Sequence, residues 1–88
     1  MINTRLVKRI LEACARFERK EISIAELQAL LEGNASALEG VDKKVYSEIH
    51  NFSNVLERIQ FACLFERQHE ETCSLIKQIR KYLHKLAL

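Results

Sequence analysis

Six apolar residues follow one another at spacings of four, three, four, three and four: Val45, Ile49, Phe52, Leu56, Ile59 and Cys63. At about 100° per residue, this spacing sets all six in one stripe along a helix. The surrounding stretch, residues 41–65, is the longest regular pattern in the chain. As a helix it spans roughly 35 Å at about 1.5 Å per residue, as long as a small domain is wide. A greasy edge of that length has to be covered by other segments. The stripe extends over only about three heptads, and the chain supplies further helices, so an intramolecular core is the simpler cover and a homodimer seam the alternative.

Those further helices are legible from the same period. Leu6, Val7, Ile10, Leu11, Cys14 and Phe17 predict a first helix over residues 4–19, capped by Asn3 or Thr4. Residues 20–22 read as a break. Ser23-Ile24-Ala25-Glu26 has the capping-box form, in which the serine hydroxyl and the glutamate carboxylate satisfy each other's backbone N–H groups. A short second helix is expected from Ile24 to about Glu32, with Ile24, Leu27, Leu30 and Leu31 inward and Gly33 as its left-handed terminal cap. Residues 34–40 are the least regular segment, anchored by Leu38 and closed by Gly40. Asp42 is the expected N-cap of the long helix, with its carboxylate at the positive end of the dipole. The charged run of residues 66–70 is the expected turn, although no glycine or proline marks it and a continuous bent helix fits as well. Thr72, Leu75, Ile76, Ile79, Tyr82, Leu83 and Leu86 predict the inward face of a last helix over residues 68–86.

These segments make one all-α domain over residues 1–88: a small antiparallel helical bundle of three long helices and one short helix. There is no proline and there are only two glycines to interrupt it. A domain of this size has a stability on the order of 4–13 kcal/mol.

The three cysteines cannot all pair within one chain, and Met1-Ile2-Asn3-Thr4-Arg5 leads straight into an amphipathic pattern with no leader character. Free thiols and a cytoplasmic location are the expectation. No apolar run approaches the ~20 residues of a membrane span. Asn34-Ala35-Ser36 and Asn51-Phe52-Ser53 match the glycosylation pattern and are taken as chance matches.

Motifs for chemistry are absent from the sequence, and the expectation is a protein that is not an enzyme and needs no cofactor. His50, His69 and His84 stand apart from one another, and no Gly-rich loop cradles phosphate. His69 and Cys73 lie four apart and suit two zinc ligands, but no further Cys/His motif completes a site. Cys14 and Cys63 read as buried, inert thiols.

Charge is more telling than motif. Residues 1–20 carry six basic and two acidic groups, residues 21–57 two basic and seven acidic, and residues 58–88 six basic and three acidic. The basic ends suit nucleic-acid phosphates or a membrane surface, yet no recognition turn or stacking platform accompanies them, and solvated helix faces explain them more simply. The acidic middle, with Glu26, Glu32, Glu39, Asp42 and Glu48, suits a basic protein partner or is a solvated face. Phe61 and Phe65 lie nearly opposite the stripe. They are either aromatic anchors for a partner or covered where the long helix is central.

Glu26-Leu27-Gln28-Ala29-Leu30-Leu31-Glu32-Gly33-Asn34, with Ala37-Leu38-Glu39 and Leu56-Glu57-Arg58-Ile59-Gln60-Phe61, resembles small helical bacterial proteins encoded beside polymorphic or contact-dependent toxins. The resemblance covers the middle half of the chain and rests on pattern. It implies an immunity protein that neutralises a secreted toxin domain by binding it, with the acidic middle as the contact. The alternatives are a homodimeric structural or regulatory module and a nucleic-acid accessory protein.

Overall fold

The computed structural model describes residues 4–36 and 43–87. Four helices account for nearly all of them: α1 Thr4–Glu18, α2 Ile24–Ser36, α3 Lys43–Ala62 and α4 Phe65–Ala87. Each packs on the next, and α4 returns to α1, so the four close into a ring. Contacts between neighbours run in opposite directions along the chain. Phe17 stacks on His69, while Val7 and Leu11 share a groove with Leu83 and His84. Glu32 reaches Ser53, and Phe52 meets Tyr82 edge-on. The bundle is therefore up-down-up-down, measuring 38 × 21 × 18 Å.

The stripe on α3 is its spine. Val45, Ile49, Phe52 and Leu56 are buried, Leu56 completely. Ile59 and Cys63 are only half-buried, because α3 is leaving the core there. Leu6, Val7, Ile10, Ala13, Cys14 and Phe17 of α1, Ile24, Leu27, Leu31 and Ala35 of α2, and Leu75, Ile76, Ile79 and Leu83 of α4 complete the interior. Among the described residues two fully buried ones are polar: the Ser53 hydroxyl donates to Glu32 Oε1 at 2.8 Å, whereas Thr72 Oγ1 has no hydrogen-bond partner there.

The break after α1 is a Schellman cap. Lys20 N–H donates to Phe17 O, Glu21 N–H donates to Arg16 O, and Lys20 has φ 62°. A lysine thus occupies the left-handed position that usually takes glycine, and Arg16, Arg19 and Glu21 tie the turn with ion pairs. The capping box then starts α2 as predicted: Glu26 N–H donates to Ser23 Oγ at 3.1 Å, and Ser23 N–H donates to Glu26 Oε1 at 3.2 Å.

Three expectations need correction. Gly33 does not end α2, which continues through Ser36, and Gly33 has an ordinary negative φ. Continuing the helix buries Ala35 beside Leu31, and the side chains of Asn34 and Ser36 bond the carbonyls of Leu30 and Glu32 one turn back. Leu30 is not inward; it lies on the flank of α2, 38% exposed. The turn between the last two helices is at Cys63 and Leu64, not in residues 66–70, so Phe65 opens α4 rather than closing α3. Gln68 replaces the missing glycine: its side-chain amide donates to Gln60 O at 3.1 Å and Cys63 O at 3.2 Å, satisfying carbonyls that the end of α3 leaves free. The predicted roles of Leu38, Gly40 and Asp42 fall outside the described residues.

Candidate functional site

The α3–α4 turn projects three large apolar side chains into solvent. Phe61 in the last turn of α3 is 77% exposed, Leu64 in the link 66%, and Phe65 at the head of α4 87%. The cover predicted as one alternative for Phe61 and Phe65 is therefore absent. At ~150–250 Å² per aromatic side chain, the three present about 400 Å² of apolar surface. Patches of that size on a monomer commonly mark contact sites.

Beside them an open groove of about 520 Å³ runs between the α1–α2 cap and the head of α4. Phe17, Ile24, Ala25, Gln60, Gln68 and His69 line it together with Phe65 itself, and Lys20, Ser23 and Glu66 complete the lining. The local structures already described build it. The Schellman cap turns the chain so that Ile24 faces Phe17, and the Gln68 clamp fixes where α4 begins. The His69 ring stacks on Phe17 with centroids 5.0 Å apart and an interplanar angle of 22°.

The chemistry around His69 is quiet. Cys73 Sγ lies 3.5 Å from His69 Nε2. Burial raises the Cys73 pKa, and the neighbouring Glu18 carboxylate adds to the effect. Burial also raises Cys14 to about 11. Both thiols are thus held in the protonated, poorly nucleophilic form at neutral pH. Glu18 itself accepts two hydrogen bonds from Arg80, one from Nη1 at 2.7 Å and one from Nη2, and these hold its carboxyl below the usual range. No group of three or more metal-ligating residues occurs among the described residues, so nothing there completes a zinc site around His69 and Cys73. Among the described residues, no helix is long and apolar enough to cross a membrane.

Three of the five acidic candidates lie among the described residues. Glu26 is occupied by the cap at the start of α2. Glu32, near the other end of α2, accepts the buried Ser53 hydroxyl and so joins α2 to α3. Glu48 is half-buried on α3. Glu39 and Asp42 lie outside the described residues. Leu64 is the exposed apolar residue the sequence reading missed; three bulky apolar residues within five positions, off the stripe, are the signal for it. The groove has no such signal, because four separate segments form it.

No protein-family model matches the chain, and neither a curated protein nor a solved structure matches it.

Proposed function

We propose that this chain acts by binding another protein, with no chemistry of its own, and that the apolar corner of Phe61, Leu64 and Phe65 is the contact surface. The observation that supports this most directly is the solvent exposure of these three side chains beside an apolar groove. Leaving them in water costs free energy that a partner recovers, at about 25 cal/mol per Å² covered. The helices hold the corner rigidly, so little ordering is lost on binding. Glu32 supports the fold through Ser53, which makes it a poorer contact residue than its charge suggests.

The test is capture of interacting proteins from the source cells with two baits, the wild-type chain and the F61S/F65S variant. Both substituted side chains are exposed, so the variant should fold normally. A protein retained by the first bait and lost from the second supports the reading; identical retention by both refutes it. The immunity role that the resemblance implies is a particular form of this proposal. Its own readout is survival of cells expressing the captured toxin together with the chain.

A further inference from the structure

We infer that the occupant of this corner is a second copy of the same chain, related by a two-fold axis, with each copy placing its Phe65 in the other's groove. This rests on the corner being a protein-binding surface, and it names the partner.

A two-fold interface must be self-complementary: each copy has to offer both the projection and the cavity that receives it. This corner does so within one patch. Phe61, Leu64 and Phe65 project, and Phe65 also lines the groove walled by Phe17 and Ile24.

The area also fits. The three exposed side chains contribute about 400 Å² from each copy, or roughly 800 Å² together. The groove lining adds to this and brings the contact close to the ~1,000 Å² at the lower end of specific interfaces, the size of a weak, reversible dimer.

Charge fixes the orientation. Lys20 and Glu66 both line the groove, and among the described residues neither forms an ion pair within its own chain. Glu66 directly follows Phe65. Insertion of Phe65 therefore carries Glu66 to the opposite groove, which the other copy's Lys20 lines. The two-fold axis repeats the arrangement, giving two such pairs per dimer. Like charges would meet if either residue were reversed alone.

Sedimentation equilibrium of the full chain, across a concentration series bracketing the micromolar range, tests the proposal. Wild type should pass from monomer to dimer. F61S/F65S should weaken association at least about tenfold, with an unchanged helical circular-dichroism spectrum and a cooperative melt. K20E and E66K should each weaken it several-fold, and K20E/E66K together should restore it. The restoration carries the argument, since general loss of packing or solubility would not produce it. A wild-type chain that stays monomeric at the highest concentration overturns the pairing. The binding-surface reading then stands if F61S/F65S still loses a captured partner, and falls with it otherwise. A dimer that persists in F61S/F65S overturns the pairing through this corner, and one lost in F61S/F65S but not restored in K20E/E66K overturns the proposed orientation.

Discussion

Thr72 is a flaw in an otherwise apolar interior, and its removal makes a sharp prediction. The residue is fully buried on the inward face of α4, and among the described residues its hydroxyl has no hydrogen-bond partner. A buried, unsatisfied hydroxyl costs about 1–3 kcal/mol relative to its hydrated state in the unfolded chain. Valine has nearly the same shape, is equally β-branched, and has a similar helix propensity. Thr72→Val therefore isolates the hydroxyl. It should stabilise the protein by about 1 kcal/mol or more, raising Tm by roughly 4–8 °C per kcal/mol in a domain of this length. Thr72→Ser is the control: it keeps the hydroxyl and deletes a buried methyl, costing about 0.8 kcal/mol. Urea melts followed by circular dichroism at 222 nm measure both, with the midpoint moving and the slope unchanged. A Thr72→Val midpoint at or below that of wild type would refute the reasoning, since the hydroxyl would then have a partner in solution.

Leu56→Ala empties the middle of the core and should cost about 2–5 kcal/mol, enough to unfold much of the population; a melt close to wild type would mean that α3 is not the spine. Gly33→Ala should stabilise α2 by about 0.5–1 kcal/mol, because a Cβ there meets nothing within 4 Å and the backbone is already helical; a lower Tm would show that α2 does not continue past Gly33. Glu18→Gln tests the ion pair across α1 and α4. Arg80 lowers the carboxyl below its 4.5 reference, so the stabilisation is fully present above that pH and is lost as pH falls through the lower folded-state value. The stability gap between wild type and Glu18→Gln should therefore be widest at neutral pH and close in strong acid, and a gap independent of pH would remove the pair from the account.

Some of this was open to reading because the determining residues lie close together in sequence. The period of Val45, Ile49, Phe52 and Leu56 fixes a helix and its buried edge without reference to anything distant. Ser23 and Glu26 bond each other across three positions, so the start of α2 is written where it occurs. The errors arise where distant atoms decide. Gly33 reads as a stop, but burying Ala35 and Leu31 outweighs the cost of one helical glycine, about 1 kcal/mol. The α3–α4 turn carries no glycine or proline because Gln68 supplies the cap from the following helix. Phe61 and Phe65 stand out by lying off the stripe. Their groove does not, because Phe17, Ile24, Gln60 and His69 meet only once the ring of helices has closed. Glu18 and Arg80 are 62 positions apart, and no local pattern announces them.

The ring order of the helices also governs how fast the molecule finds its structure. Among the described residues, three of the four main interfaces join helices adjacent in the chain, so most native contacts form after only a brief diffusive search by a short segment. Only the meeting of α4 with α1 must wait for the whole polypeptide to come together. Such a topology predicts relaxation in microseconds to milliseconds, which leaves little time for half-assembled chains to stick to one another through exposed aromatic rings.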